Sequence, residues 1–416
     1  MSNTPYQSPG HGLKNLDTAL EELRQACTPD IDQIKTEDVA LSASLNRILA
    51  KDVYSDINVP PANNSAVDGY ALNLHTIDLQ QPLSISQRIP AGHTPSVLSA
   101  GTVARIFTGA HVPEGANCVV MQEDVELSSD KLAIRIQSAP KLGQNIRPMG
   151  QDIQCGQCIL HKGLSISPQR LGLLASIGIE RVTVYKPLTV AILSTGDELV
   201  EPGNALQEGQ IYNSNRYLLN GFLKQLDFKV LDLGIVPDTL EHTLKALSLA
   251  AQDADFIITT GGASVGEADY IKKAIEQLGQ VNFWKIAIKP GKPVMLGKIN
   301  HTPVLGLPGN PGAAFVTFMI LARPCLLQKQ GASKTKVASY SLPINFSIKK
   351  PSIRREFLRV KRNPSNQLEQ HSNQSSGMLS SASWAEGLAI IMENTTPQQG
   401  DLVSYIPFDA LLHLNN

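Results

Sequence analysis

Glycines, carboxylates and lysines crowd into one stretch of this 416-residue chain, and their types fit anion and metal chemistry. Thr260-Gly261-Gly262-Ala263-Ser264-Val265-Gly266 follows an apolar run and precedes an amphipathic one. Glycines there let backbone N–H groups converge on an anion, and the positive end of a following helix adds to the attraction. The Gly-Lys-Ser/Thr ending of a Walker A loop is absent, and a plain strand-to-helix turn is the alternative. Asp269, just beyond, can hold hydrated Mg²⁺ or serve as a helix N-terminal acid. Asp197 and Glu198, after an earlier apolar run, suit a divalent cation that offsets their repulsion; solvated loop acids are the alternative. Asp238 reads most simply as an N-cap.

Lys285, Lys289 and Lys292 sit in Trp284-Lys285-Ile286-Ala287-Ile288-Lys289-Pro290-Gly291-Lys292-Pro293, where Pro and Gly stiffen the turn that presents them. Three such cations could collect a phosphate or a tetrahedral oxyanion, or form only a solvated turn. Gly306-Leu307-Pro308-Gly309-Asn310-Pro311 reads as a strand end opening a helix, either a tight turn or a wall against which a ligand rests. Asp68, in Asn63–Tyr70, and Arg147 with Asp152 lie far upstream, each a candidate for a catalytic loop or an ordinary turn. Cys155-Gly156-Gln157-Cys158, near His161, has no second ligand pair and no thioredoxin setting, so a hairpin loop is expected.

The elements that must position these groups follow from apolar periodicity. Leu13, Leu16, Leu20 and Leu23 predict a helix with Asp17 near its start, and a second pattern spans 41–53. Short β-branched runs over 83–125 predict a β-rich insertion, and helical spacing over 169–177 stops at Gly178. From Pro187 onward, strands expected at 188–193, 228–236, 256–260, 281–288 and 294–296 alternate with helices at 216–226, 238–250, 270–278 and after Pro311. That alternation predicts a multidomain α/β chain with a central, doubly wound, mostly parallel sheet. Ligands then bind beyond the carboxyl ends of the strands, where the glycines and acids fall. Strands near 339–348, 357–361, 388–392 and 402–406 read as a separate small β domain, and 363–376 as a polar loop.

Composition narrows the function. Apolar residues make up 42% and charged residues 18%, with a formal net charge of −1, which fits a globular protein and argues against a general nucleic-acid binder. The start of the chain shows no secretory pattern, the longest apolar stretch, 313–322, is about half a membrane span, and five scattered cysteines form no disulfide framework. A cytoplasmic location and no membrane partner are expected.

The order of the motifs decides more than any one of them. NSAVDGYA, FTGA, IRPMGQD, STGDEL, GGASVGEAD, WKIAIKPGKP, GLPGNP and a late RREFLRV resemble the MoeA-type molybdopterin molybdenumtransferases over nearly the whole chain. The resemblance implies an N-terminal linker domain (12–58 and 146–186), an inserted β-rich domain (59–145), an adenylyltransferase-like α/β domain (187–330) and a C-terminal β-barrel (335–416). It also implies a homodimer whose cleft is shared between subunits, with molybdopterin adenylyltransferase and molybdoenzyme maturation proteins as further partners. The implied reaction inserts molybdate into adenylylated molybdopterin with Mg²⁺ as cofactor and AMP released. Asp68, Thr108, Arg147, Asp152, Lys285, Lys289 and Lys292 would be catalytic. Asp197, Glu198 and Asp269 would hold metal. Gly261, Gly262, Ser264, Gly266, Asp238, Pro308, Pro311 and Arg354 would bind the pterin nucleotide and molybdate. Val67, Ala263 and Gln151 depart from the family pattern, and Gln151 removes one candidate carboxylate. Two rival readings are a molybdopterin adenylyltransferase and a non-enzymatic scaffold similar to the gephyrin E domain.

Overall fold

The structure, a computed structural model, describes residues 12–29, 34–261 and 270–412. Contacts divide the chain into two units, one of Met1–Lys51, Lys162–Leu171 and Arg181–Asn416, the other of Asp52–His161 and Gly172–Glu180.

In the first unit a six-stranded sheet runs in the order Lys229–Val236, Thr189–Thr195, Phe256–Thr260, Thr302–Leu307, Pro293–Ile299, Gly279–Lys285. Every residue of Phe256–Thr260 and Thr302–Leu307 is buried, as expected of strands covered on both faces. Leu219, Phe222 and Leu223 of helix Ser214–Gln225 pack with Phe315 and Phe318 on one face, the Phe222 and Phe318 rings stacking at 4.8 Å. Leu247, Ala250, Ile271 and Ile275 of helices Leu240–Asp253 and Tyr270–Leu278 cover the other. The first four strands are parallel, but the last two pairings are antiparallel, so the sheet is mixed. The cause is loop length: only Asn300 and His301 separate Ile299 from its partner Thr302, and a parallel return needs a dozen residues or more.

The helix after Pro311 outruns its apolar stretch, reaching 19 residues over Pro311–Lys329, with an apolarity that meets membrane-span criteria. Most of its residues are buried in protein, which makes it a core helix. It widens to a π-turn over Phe318–Ala322 just before Pro324, which lacks the N–H that the carbonyl one turn back would accept. Residues 41–53 form only a 3₁₀ turn, Leu41–Ala43, and short bridges; helix Leu16–Cys27 is capped by Asn15 Oδ1, which accepts the Asp17 N–H at 2.8 Å.

The C-terminal strands Arg355–Arg362, Gly387–Ile391, Leu402–Pro407 and Tyr340–Pro343 form a second sheet, with Leu368–Gln370 beside the first of them. This sheet is less separate than its sequence predicts. Ile288–Lys289, from the α/β region, joins it in parallel, with Ile288 opposite Arg355 and Lys289 opposite Glu356.

The second unit is β-rich, as the patterning predicts. Its six-stranded sheet runs Cys118–Met121, Gly69–Leu72, Val103–Ile106, Leu83–Ile89, Ala133–Ile136, Val125–Leu127. Two short antiparallel ribbons accompany it, Asn64–Ser65 with Ile146–Arg147 and Val53–Tyr54 with Cys158–Leu160.

Candidate functional site

Three parallel strands of the first unit end side by side, and the turns that leave them line a cleft of about 600 Å³. Thr195 closes one strand, Thr260 and Gly261 the next, and Pro308, Gly309 and Asn310 follow the third. Gly261 has φ +86°, and a Cβ there would lie 2.4 Å from the Thr195 carbonyl oxygen, so no other residue fits between the strand ends. Asn215 Nδ2 donates to the Gly309 carbonyl at 2.7 Å, while its buried Oδ1 has no protein partner among the described residues. An orphaned acceptor on a cleft wall is a group a ligand donor can satisfy.

The opposite wall is cationic. Lys289, Pro290, Gly291, Lys292 and Pro293 line it together with Arg354, Gln374, Ser375 and Ser376. Gly291 has φ +112° and packs against Thr317, whose Cγ2 a Cβ would approach to 2.4 Å. The parallel register explains which side chains face the cleft. Lys289 lies opposite Glu356, and its Nζ meets Glu356 Oε1 at 2.8 Å. Arg354, the residue before the strand, lines the cleft, whereas Arg355 turns away. Arg355 instead forms a fork with Asp17, 2.8 Å on each arm, and reaches Glu393 at 3.2 Å.

Arg359 is fully buried behind the Gln374–Ser376 loop. Its Nη2 donates to the Ser375 carbonyl at 2.9 Å and its Nε to Ser381 Oγ at 3.0 Å. Gln374 exchanges bonds with the Arg359 backbone, accepting from the N–H at 3.0 Å and donating to the carbonyl at 2.8 Å. Burial lowers the guanidinium to about 10, a value at which it is still charged at neutral pH.

Glu198 lines the cleft, and Asp197 and Asp238 stand close by. The Asp238 carboxyl is raised above the usual aspartate value, first by lost solvation and then by the charges of Asp197 and Glu198. The cap of helix Leu240–Asp253 is Thr239, whose Oγ1 accepts the His242 N–H; Asp238 is thereby left outside the cap that its sequence position predicts. Asp197, Glu198 and Asp238 do not bring one oxygen each within 4.8 Å of one another. Lys285 does not line the cleft; its carbonyl accepts the Lys14 N–H at 3.0 Å. Pro311 opens the helix beside it. Gly262, Ser264, Gly266 and Asp269 lie outside the described residues.

A second group lies within the other unit. Asp68 Oδ1 accepts both the Thr108 N–H and its Oγ1–H, each at 2.8 Å. Those bonds, the backbone one foremost, hold the carboxyl below the usual aspartate range. Arg147 is exposed on the ribbon opposite Asn64, and Asn63 Oδ1 accepts the Met149 N–H at 2.8 Å. Asp152, also exposed, donates its N–H to Val59 at 2.9 Å.

Three family models match in succession: the MoeA N-terminal region (domains I and II) over residues 14–178, a probable molybdopterin-binding domain over 191–328, and the MoeA C-terminal region (domain IV) over 341–408. A molybdopterin molybdenumtransferase of Haemophilus influenzae is 43% identical over 81% of this chain and 85% of its own length. This chain belongs to the MoeA family of molybdopterin molybdenumtransferases. A Bacillus subtilis relative of the same name is 34% identical, covering 74% of this chain and 73% of its own. A crystal structure of a molybdopterin biosynthesis MoeA protein from Pyrococcus horikoshii OT3 superposes with a TM-score of 0.82 at 26% identity, covering 95% of this chain and 100% of that one.

Within this MoeA-family chain, sequence reasoning missed Thr195, Asn215, Asn310 and the Gln374–Ser376 loop. Asn215 carried a faint signal, two asparagines at a helix start, where each can cap, bond to a turn or face a ligand. Gln374–Ser376 showed only polar bias. The arginine that anchors this loop, Arg359, lies within RREFLRV and reads from sequence as one more surface charge.

Proposed function

We propose that this chain inserts molybdenum, delivered as molybdate, into adenylylated molybdopterin, with Mg²⁺ as cofactor and AMP as the released product. The carrying observation is the single cleft that gathers Lys289, Lys292 and Arg354 opposite Glu198 and the Gly261 turn. Fixed cations match a tetrahedral dianion, and a glycine turn at strand ends matches a phosphate. The reaction named for the relatives supports the same reading.

The acids near the cleft fit Mg²⁺, because it takes carboxylate oxygens and would offset the charges of Asp197 and Glu198 that, after lost solvation, raise Asp238. Asp197, Glu198 and Asp269 would hold it, with Asp238 near the nucleotide. When bound, the ion supplies polarisation of a phosphoryl oxygen. Lys289, Lys292 and Arg354 bind and orient molybdate. Gly262, Ser264 and Gly266 extend the phosphate turn begun by Gly261, and Pro308 and Pro311 shape the wall beside the pterin. Asp68, kept ionised by Thr108, and Asp152 with Arg147 position water or molybdate oxygens as the diphosphate is cleaved. A homodimer, a cytoplasmic location, the four-part division at 12–58 with 146–186, 59–145, 187–330 and 335–416, and a barrel-like closure of the last part belong to the same proposal.

The test is AMP release from adenylylated molybdopterin with and without molybdate and Mg²⁺. Release that requires both is expected. Net accumulation of adenylylated pterin from ATP and molybdopterin, with no response to molybdate, would replace this reading with the adenylyltransferase one.

A further inference from the structure

Outside the strand-end cleft and the Asp68 loop, a short ribbon of the second unit brings together a thiol, an imidazole and a carboxylate. Cys158 pairs with Tyr54 and Leu160 with Val53, so one strand advances two residues while the other advances one. That shift is a β-bulge, and it changes which side chains share a face. Cys158 and His161, three positions apart, would point to opposite faces of a regular strand. The extra residue returns them to one face, and continuing the register sets His161 across from Asp52. The distances agree with that geometry. His161 Nδ1 is 3.5 Å from Cys158 Sγ and 3.6 Å from Asp52 Oδ2. One ligand atom from each of the three lies within 4.8 Å of the others.

We infer that Asp52, Cys158 and His161 form a binding site for a thiophilic divalent transition metal, with Zn²⁺ the best match and solvent in the fourth position. Thiolate and imidazole select zinc-like ions over Mg²⁺, and three protein ligands with an open position is an established zinc arrangement. Size fits as well: a tetrahedral zinc with ordinary bond lengths has an S···N edge of about 3.6 Å and an N···O edge of about 3.4 Å. Cys158 is half-buried while Asp52 and His161 are exposed, so an ion can enter from solvent. Cys155, the partner that sequence spacing offers to Cys158, instead directs its Sγ to the Asp56 carbonyl at 3.3 Å.

Co²⁺ titration of the full-length chain, reduced and stripped by chelator, tests the site. A thiolate-to-cobalt charge-transfer band is expected to saturate at a single equivalent, to be displaced by Zn²⁺ and to resist Mg²⁺. It should be lost in Cys158→Ser, weakened in His161→Ala and unchanged in Cys155→Ser, with circular dichroism confirming that each variant is folded. Should Cys158→Ser not fold, His161→Ala and Asp52→Ala carry the test by the same band. Absence of the band overturns the inference. So does a band that survives Cys158→Ser, one indifferent to both His161→Ala and Asp52→Ala, or one abolished by Cys155→Ser.

Discussion

Around the strand-end cleft, Thr195, Gly261 and Pro308 follow three neighbouring parallel strands, so sheet topology alone collects them. Around Asp68 the start of the short strand Gly69–Leu72 meets the end of Val103–Ile106, with Gly69 opposite Ile106. Beyond those four-residue strands, two-residue ribbons and side chains that bond to backbone, Asn63 to Met149 and Asp68 to Thr108, hold the loops. The first arrangement is built on buried strands and tolerates polar substitution in the turns but not a change of backbone shape. The second depends more on individual hydrogen bonds near solvent, so its losses should be local.

Substitutions can sharpen that contrast. The largest effect is expected on turnover from Arg354→Ala and Lys289→Ala, a loss of about 100-fold or more in molybdate-dependent AMP release, since each removes a fixed charge from the wall proposed to hold molybdate. Lys289→Ala should also reduce stability, because it strands the nearly buried Glu356; Lys289→Met with Glu356→Gln should recover stability in urea titration without recovering turnover. Gly261→Ala comes next, with a stability loss of about 2–4 kcal/mol from the positive φ and the clash with Thr195, measured by the same titration. An unfolding midpoint unmoved by Gly261→Ala would undo the claim that backbone shape governs the cleft.

A smaller effect concerns Asp238. Its carboxyl is raised in the folded chain, so its favourable contribution is complete below the ordinary aspartate value and is lost as pH rises through the folded one. Asp238→Asn should therefore flatten the fall in stability over that window, and Mg²⁺ should raise the thermal midpoint more at neutral pH than at the acid end. Equal shifts at both ends would detach Mg²⁺ from this acid group. Asp68 has the opposite sign: its lowered carboxyl supports the fold above the ordinary aspartate value, and the support fades as pH falls through the folded value. Asp68→Ala should chiefly speed hydrogen exchange at the Thr108 amide, leaving global unfolding almost unchanged. A global loss as large as that of Gly261→Ala would erase the contrast between the two regions.

Much of the cleft's frame was legible because it rests on local signals. Continuous apolar runs mark the buried strands, and glycine or proline marks the turns that leave them. Its cationic wall was legible only in part. KPGKP announces a stiff basic turn, but the meeting of Lys289 with Glu356 depends on a pairing between residues 67 positions apart, which no local pattern encodes. The same holds for Gln374–Ser376, set in place by a buried arginine whose environment cannot be read from its neighbours. The antiparallel edge was hidden by apolarity, since a buried strand reads alike in either direction. Asp238 and Thr239 are both good caps by residue type, and only the structure shows that Thr239 is the one used.

The two-residue strand Ile288–Lys289 also has a mechanical consequence. Because the lysine-bearing turn is stitched to the start of the Arg355–Arg362 strand, a pull on the C-terminal sheet should be felt at Lys289 and Arg354 before it reaches the glycine turn. Displacement of that sheet would carry Lys289 and Arg354 as one piece, altering their distance from Gly261 while preserving their spacing from each other.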